Sequence, residues 1–403
     1  MPTYKLKELV TEVISGEWGQ EPSDEFSGVK VIRTTNFSNT GRLDLHREIV
    51  KREIEPEKVD KKRLLVGDII IEKSGGSPEQ PVGRVVFFEE TDIYLCNNFT
   101  SVLRPNKELV EPKYLMYLLF NLHKTRRVLK FQNKTTGIIN LKLDQYLQQT
   151  EVIIPSKEVQ QKIVKVLDKK FELINKRQTQ IAALSQLTQS VFLEMFGDSF
   201  ANDKSFPIQS LSDIASIRSS KRVFVKELVD EGIPFYRGTE IGSLALGEDV
   251  SPALFISELH YNSLKNSSGV PKVGDLLMPS ICPDGRIWRV QDNDPFYFKD
   301  GRVLWIHFTT NDINTLFIQY ALKDKLIRDY SRIASGTTFA ELKIFSLKKL
   351  KLMVPPLDLQ NKFASIVSEI DAQKKNMEMS LQVMENNYNS LLLKAFKGEL
   401  FQV

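Results

Sequence analysis

A helical stretch that occurs twice at a constant offset constrains the fold of this chain more than any other feature. Pro155 to Phe196 and Pro355 to Phe396 lie 200 positions apart. The first stretch has no internal Gly or Pro, and its apolar residues recur at alternating steps of four and three. Such spacing is typical of a helical seam with a period near 3.5 residues. About forty residues at about 1.5 Å each predict a helix of roughly 60 Å in each copy.

The apolar residues of these stretches define one seam on each helix. The first seam contains Ile163, Leu167, Ile174, Ile181, Leu184, Val191 and Met195, with Lys170, Arg177 and Thr188 at intervening positions. The second seam contains Phe363, Val367, Ile370, Lys374, Met377, Leu381, Met384, Tyr388, Leu391 and Ala395. Either each helix packs on the core of its own domain, or the two helices pack on each other. Narrow stripes on helices longer than a small domain needs favour the second arrangement.

The composition predicts a multi-domain protein of a reducing compartment. A chain of 403 residues with 41% apolar residues is long enough for two or more packed domains. Its formal net charge of +4 permits nucleic-acid binding without requiring it. Cys96 and Cys282 are the only cysteines and form neither a disulfide framework nor a zinc spacing. Because there is no signal-peptide core and no membrane-spanning run, we expect a cytoplasmic protein without membrane association.

The segments outside the helices also repeat, in the same order. The matching motifs are V-I-R-T-T-N-F at 31–37 with F-Y-R-G-T-E-I at 235–241, V-G-D at 66–68 with V-G-D at 273–275, G-R at 83–84 with G-R at 285–286, and N-K-T-T-G at 133–137 with S-G-T-T-F at 335–339. The chain is therefore predicted to be a tandem repeat of a globular α+β domain followed by a long helix. The predicted bounds are 1–152 and 201–353 for the domains, and 153–200 and 354–403 for the helices.

No residue pattern in the chain predicts catalysis. There is no phosphate-binding G-x-x-x-x-G-K-[ST] loop, and the four histidines occur in no metal or triad spacing. The N-D-P-F sequence at 293–296 is superficially like an amino-methyltransferase motif, but it lacks the second Pro. We therefore expect no catalytic residues and no bound cofactor or metal on this chain.

The loops between the strands carry side chains that can contact DNA. Arg can bond bidentately to guanine and Asn to adenine, while Lys, Ser and Thr add phosphate and base contacts. The candidate DNA contacts in the first domain are Arg33, Thr35, Asn36, Lys73, Ser74, Gly75, Arg84, Lys134 and Thr136. Those in the second domain are Lys221, Arg222, Arg237, Thr239, Arg286, Thr337 and Thr338. A shared scaffold with different loops predicts two readers of different sequences.

The order of these motifs resembles the specificity subunit of type I restriction–modification systems. The recurring elements are R-x-T-[NE], V-G-D-[IL]-[IL], the [KG]-T-T turn, and P-x-x-[ED]-x-Q-x-K at the start of a helix that ends on L-x-x-F. The resemblance implies two target-recognition domains, each reading one half of a split double-stranded DNA sequence. It also implies that two long antiparallel helices, conserved in that family, form a coiled-coil spacer between them with pseudo-twofold symmetry.

The resemblance further implies partners that perform the chemistry. Two methyltransferase subunits would dock on the helices and methylate adenine N6, and two restriction–translocase subunits would join them. S-adenosylmethionine, ATP and Mg would then bind to those subunits, and none of them to this chain. Two alternatives remain open at this point: a stand-alone sequence-specific DNA-binding regulator, and a fused methyltransferase or nuclease.

Overall fold

The computed structural model describes residues 2–23, 28–135, 138–335 and 340–401, with Lys134 and Thr135 described by their backbone alone. The described residues form two compact units. Unit 1 comprises Met1–Gln178 and Met379–Val403, and unit 2 comprises Thr179–Glu378. Both boundaries fall inside the long helices, so each long helix contributes one part to unit 1 and the other part to unit 2.

Unit 1 is built around a four-stranded antiparallel sheet of order β2-β9-β5-β7. The strands are β1 Thr3–Lys5, β2 Val10–Ser15, β3 Val29–Ile32, β4 Val50–Arg52, β5 Ile69–Glu72, β6 Ser74–Gly76, β7 Val85–Phe87, β8 Tyr94–Cys96, β9 Thr100–Pro105, β10 Gln132–Thr135, β11 Ile138–Leu141 and β12 Glu151–Ile153. All four residues of β5 are buried, because this strand is covered on both faces. The smaller sheets have the orders β4-β3-β8, β10-β11-β6 and β1-β12.

The helices of unit 1 supply the other layer of its core. They are α1 Pro56–Lys62, α2 Pro112–Lys124, α3 Leu143–Gln149, the first part of α4 Lys157–Phe196 and the last part of α10 Leu357–Lys397, with 3-10 turns at Leu6–Leu9, Thr34–Asn36 and Arg127–Phe131. Helix α2 begins at Pro112, whose fixed φ suits a first helical turn. Every residue of α2 from Tyr114 to Leu122 is buried, so this helix lies inside the unit.

Unit 2 repeats the same architecture. Its strands are β13 Ile208–Ser210, β14 Ala215–Arg218, β15 Leu228–Val229, β16 Ile233–Tyr236, β17 Phe255–Ile256, β18 Leu276–Pro279, β19 Trp288–Arg289, β20 Tyr297–Phe298, β21 Val303–Phe308 and β22 Lys351–Met353. Its helices are the last part of α4, α5 Leu211–Ile214, α6 Gly238–Ala245, α7 Glu258–Ser268, α8 Thr315–Ile333, α9 Ile344–Lys348 and the first part of α10 Leu357–Lys397, with a 3-10 turn at Val225–Glu227. The main sheet, β14-β21-β18-β19, has the order of its counterpart in unit 1.

The two long helices contact each other within each unit. In unit 1 the rings of Phe171 in α4 and Tyr388 in α10 lie 6.3 Å apart. In unit 2 the rings of Phe196 in α4 and Phe363 in α10 lie 5.4 Å apart. Early residues of one helix thus meet late residues of the other, which is the antiparallel arrangement. The predicted α+β fold with two similar units and antiparallel long helices is confirmed.

Within the described ranges no helix combines the length and apolarity that crossing a membrane requires.

Candidate nucleic-acid interface

The repeated R-x-T-[NE] motif forms the same backbone cap in both units. In unit 1 the side-chain oxygen Oδ1 of Asn36 accepts a hydrogen bond from the backbone N–H of Arg33 at 3.0 Å. In unit 2 Oε2 of Glu240 accepts the equivalent bond from Arg237 at 2.9 Å. Both motifs open a helical turn, whose first amides have no partner within the turn. The fourth residue of the motif therefore has a structural role.

Asn36 is accordingly corrected from a candidate DNA contact to a structural residue. Its side chain is fully buried, and its Nδ2 donates to the carbonyl of Glu48 at 3.2 Å. Both ends of the amide are bonded inside the protein, so neither is available to a base edge. Thr35, beside it in the sequence, is exposed and stays a candidate.

The guanidinium groups of Arg33 and Arg237 lie where these turns begin. Arg33 Nη2 is 3.2 Å from the Glu48 carboxylate, and the Arg33 side chain is 26% exposed. Arg237 Nη2 is 2.5 Å from the Glu240 carboxylate, and its side chain is 51% exposed. Burial opposes ionisation of Glu240, but hydrogen bonds from Arg237 and Thr239 outweigh it and lower the pKa of this carboxyl to about 2. A DNA phosphate or base would have to compete with that carboxylate for Arg237.

The V-G-D motif also holds the scaffold. The side-chain oxygens of Asp68 and Asp275 each accept the backbone N–H three residues earlier, at 2.8 and 2.9 Å. Both carboxylates are buried, and each has a second partner, Arg104 at 3.0 Å in unit 1 and His307 at 2.8 Å in unit 2. The preceding glycines have φ of 98° and 92°, a region that favours glycine.

Arg84 and Arg286 occupy matching positions in different surroundings. Arg84 donates from Nε and Nη2 to the two carboxylate oxygens of Glu72 at 2.8 and 2.9 Å, and the Glu72 side chain is only 3% exposed. Arg84 is therefore corrected from a candidate DNA contact to half of a buried ion pair. In unit 2 Pro279 stands where unit 1 has Glu72. Arg286 instead bonds the exposed Asp284 at 3.0 Å and stays a candidate.

The remaining candidates of unit 1 flank a glycine turn at β6. Lys73 Nζ donates to Ser15 Oγ at 3.4 Å, and Ser74 Oγ donates to Asn140 Oδ1 at 2.5 Å. Gly75 is exposed with φ of 104°, and a Cβ there would meet nothing within 4 Å. Its backbone conformation, and not a close neighbour, therefore requires glycine.

The remaining candidates of unit 2 are exposed. Arg222 Nε donates to Asp300 at 2.9 Å, while Lys221 lies beside it in the same loop. Thr239 Oγ1 donates to the Glu240 carboxylate at 2.8 Å. These three side chains remain candidate contacts.

Four candidates lie at the repeated T-T turn. Thr136, Thr337 and Thr338 lie outside the described residues, and the Lys134 side chain is likewise outside the description.

The structure adds a group of cations that the motif comparison does not single out. From 112 to 143 the sequence contains seven Lys or Arg residues and no Asp or Glu. Arg126, Arg127 and Lys130 in this stretch are exposed, without an acidic partner in the described part of the chain, and border one surface hollow that Glu151 also lines. We name these three residues the basic segment. The charge pattern of the sequence indicates the basic segment. The equivalent helix of unit 2, α8, differs because it pairs cations with aspartates.

A repeated glutamine joins each long helix to its own unit. Gln160 Oε1 accepts the backbone N–H of Glu111 at 2.7 Å, and its Nε2 donates to the carbonyl of Pro155 at 2.9 Å. Gln360 makes the same pair of bonds, to Asn314 N–H at 2.9 Å and to the Pro355 carbonyl at 2.7 Å. Both glutamines are buried, so the motif that opens the long helices also fixes α4 to the start of α2 and α10 to the start of α8.

The predicted seam residues lie at inward positions of the helices. Ile163, Leu167, Phe363 and Val367 are buried, while Ile181, Leu184, Val191, Leu381, Met384 and Leu391 are half-buried. One intervening residue differs from its predicted position. Lys170 is exposed, and Phe171 beside it faces Tyr388 instead.

No group of three or more His, Cys, Asp or Glu residues is placed to hold a metal ion in the described ranges. Cys96 and Cys282 are buried, and burial raises the pKa of each thiol, to about 11 and about 12. Neither thiol is therefore ionised at neutral pH, as a nucleophile would need.

The fold and these loops define a tandem α+β protein whose two units carry different exposed cations on one scaffold. A sequence model of the family described as the type I restriction modification DNA specificity domain matches residues 1–184 and 205–386. The chain belongs to this family, which confirms the resemblance. It is a type I restriction–modification specificity subunit with two DNA-specificity domains, the recognition component and not the catalytic one. It therefore works with DNA and with partner subunits.

Individual relatives agree with this assignment. The chain is 24% identical over 389 residues to a Methanocaldococcus jannaschii protein assigned as the type I restriction enzyme MjaX specificity subunit, covering 91% of this chain and 86% of that one. It is 28% identical over 285 residues to the assigned specificity subunit S.HindORF215P of Haemophilus influenzae, covering 69% of each chain. The fold is similar to that of the type I restriction–modification S subunit from M. genitalium, with a TM-score of 0.57, 17% identity, and coverage of 98% and 96%.

Proposed function

We propose that each unit reads one half of a two-part DNA sequence, with residues 1–152 and 201–353 as the recognition domains. The helices at 153–200 and 354–403 would set the gap between the half-sites and dock two methyltransferase subunits. The observation that carries this proposal is the duplicated scaffold with different exposed cations. The capping bonds of Asn36 and Glu240 are equivalent, whereas Arg84 pairs with the buried Glu72 and the half-buried Arg286 pairs with the exposed Asp284.

The chemistry would belong to the partner subunits. The methyltransferase subunits would bind S-adenosylmethionine and methylate adenine N6, and two restriction–translocase subunits would use ATP and Mg. We also propose a cytoplasmic location, because the DNA and the soluble cofactors of those subunits are found there.

Within each unit, Arg33 and Arg237 are the leading candidates for base contact. Both begin a turn that a buried or half-buried side chain holds in place, and a fixed guanidinium suits bidentate bonding to guanine. The exposed Thr35 and Thr239 lie two residues further on and would contact phosphate or base edges.

A unit exchange tests the proposal. Residues 205–354 would be replaced by the equivalent segment of a relative, so that the paired strands β13 and β22 come from one source. Methylated adenines would then be mapped in DNA treated with the assembled complex. We expect one half of the target to change and the other half and the gap to be kept. The reciprocal exchange in unit 1 is the control and should change the other half. Altered recognition at both halves after one exchange would contradict the proposal.

A further inference from the structure

A loop of unit 2 presents apolar side chains to solvent although its backbone is firmly anchored. This loop, residues 219–227, follows strand β14. Ser219 Oγ donates to the Val303 carbonyl at 2.9 Å, and Ser220 Oγ donates to the Phe298 carbonyl at 2.6 Å. The backbone N–H of Lys221 donates to Tyr297 Oη at 2.9 Å. Three successive residues are thus fixed to the sheets of unit 2.

The same anchoring continues up to the exposed residues. Val223 is 2% exposed and packs in a core cluster with Phe235 and Tyr297. The backbone N–H of the next residue, Phe224, is capped by the Glu227 carboxylate at 2.8 Å. The loop therefore keeps one conformation at the point where it turns outward.

Two apolar side chains stand at the tip of this loop. Phe224 is 54% exposed and Val225 is 83% exposed. An exposed Phe and Val side by side on a rigid turn is unfavourable in water, which makes the pair a candidate contact surface.

The charges around the tip identify the kind of partner. Lys221, Arg222 and Lys226 are all exposed, and Glu227, the one acid of the loop, is engaged in the cap. An apolar tip surrounded by cations fits a polyanion with an apolar interior, which describes the stacked bases of duplex DNA between its phosphates.

The described part of the matching loop of unit 1, residues 16–23, lacks this feature. Trp18 in this part is half-buried, and the guanidinium of Arg52 lies 4.2 Å from its ring centroid. Its ring face is thus already occupied within the protein, whereas Phe224 has no such cover among the described residues.

We propose that Phe224 and Val225 form a wedge that inserts from the minor groove at one base step of the half-site read by unit 2. This inference rests on the proposed function and adds how unit 2 deforms its DNA. Apolar wedges of this kind partly unstack a base step and bend the duplex, and flanking cations hold the adjoining phosphates. Selectivity at that step would then come from how easily the step unstacks, without a hydrogen bond to a base.

The test measures base stacking directly. The full-length chain, with its methyltransferase partner, would be bound to duplexes that carry 2-aminopurine at successive positions across the half-site of unit 2. We expect a fluorescence increase at one step with the unaltered chain, and its loss with Phe224→Ser combined with Val225→Ser. A mismatch at that step removes much of the cost of unstacking. It should therefore strengthen binding of the unaltered chain more than that of the double variant, and widen an advantage of about tenfold in affinity on the matched duplex.

Leu259→Ser provides the matched control. Leu259 is 86% exposed in the same unit but lies next to Glu258, whereas Val225 lies next to Lys226, so this variant should keep the fluorescence increase and the affinity. If the unaltered chain binds its target specifically and no position across the half-site responds, the wedge is refuted and the proposed function stands. If the unaltered chain shows no preference for a target at all, the proposed function fails, and the wedge with it.

Discussion

The guanidinium of Arg84 donates two hydrogen bonds, of 2.8 and 2.9 Å, to the two carboxylate oxygens of Glu72 in unit 1. Both side chains are largely excluded from solvent, at 15% and 3% exposure. Removing one partner of such a pair leaves an uncompensated buried charge. The bond therefore belongs to the stability of unit 1 and not to its reading of DNA.

Arg84→Ala should destabilise the protein by about 3–5 kcal/mol in chemical denaturation, because the Glu72 charge loses its partner. The matched control is Arg286→Ala. Its partner Asp284 is 54% exposed, so the free energy of unfolding should change by no more than about 1 kcal/mol. If both variants lose a similar free energy of unfolding, the burial of an ion pair does not determine how much it contributes to stability.

Gln160→Ala should lower the free energy of unfolding by about 1–3 kcal/mol for each buried backbone group left unpaired. Three backbone groups bond to its side chain: the Glu111 N–H, the Pro155 carbonyl and, at 3.4 Å, the Leu109 carbonyl. Gln161→Ala, one position along on the exposed face, should change stability by less than about 0.5 kcal/mol. Equal effects of the two variants would exclude the proposed role of the buried amide.

Neutralising the basic segment should weaken binding to target and unrelated DNA alike. With Arg126, Arg127 and Lys130 all changed to Gln, the slope of log K against log salt should fall by up to about 3, since each phosphate contact contributes about 0.9. The control replaces Lys58, Lys61 and Lys62 with Gln. It removes the same charge, but those lysines already have acidic partners. If both triple variants have the same slope, the basic segment makes no phosphate contacts.

Arg237→Ala should weaken binding by about 1–3 kcal/mol and relax the sequence preference at one position of one half-site. The preference at the other half-site should be unchanged. Arg302→Ala is the comparison in the same unit, because Arg302 is 63% exposed and paired with Glu341 but starts no capped turn. A uniform loss across all sequences would identify Arg237 as a phosphate contact.

Lengthening both long helices should widen the preferred gap. A heptad inserted after Gln178 and another after Glu378 would fall at the boundaries between the units. Each adds about 10.5 Å of helix, the length of roughly three base pairs, and turns the second half-site by about a third of a helical turn. Methylation mapping should reveal a wider gap or loss of the target. Four-residue insertions at the same points are the control, since they move the seam out of phase. An unchanged gap after the heptad insertions would contradict the spacer role.

The architecture could be predicted from the sequence because the repeated residues have repeated structural tasks. Gln160 and Gln360 accept hydrogen bonds from equivalent backbone amides in the two units, and so do Asp68 and Asp275. Because the same hydrogen bond is required in each unit, the same residue type recurs in the sequence. The same reasoning explains why one predicted DNA contact was wrong. Asn36 is of a residue type that can bond a base, but Asn36 and its counterpart Glu240 both serve to cap the backbone of a helical turn.

Side-chain environments could not be predicted in the same way. A stripe that steps from Leu167 to Ile174 permits either Lys170 or Phe171 as the inward residue, and only packing against Tyr388 decides for Phe171. Arg84 and Arg286 are identical in the sequence pattern, and their different roles depend on Glu72, twelve positions away from Arg84. No sequence motif marks the basic segment. It could be predicted only from the excess of Lys and Arg between residues 112 and 143.

The division of the long helices between the units has a consequence for synthesis on the ribosome. The core of unit 1 includes Tyr388, Leu392 and Ala395, which are made after every residue of unit 2. Unit 2 needs nothing beyond Glu378. The domain that is translated second can therefore complete its core first, the reverse of the usual N-terminal-first order. Until Tyr388, Leu392 and Ala395 have been made, the first domain must wait with an apolar surface uncovered, so a chain truncated before Tyr388 should expose that surface to aggregation and proteolysis.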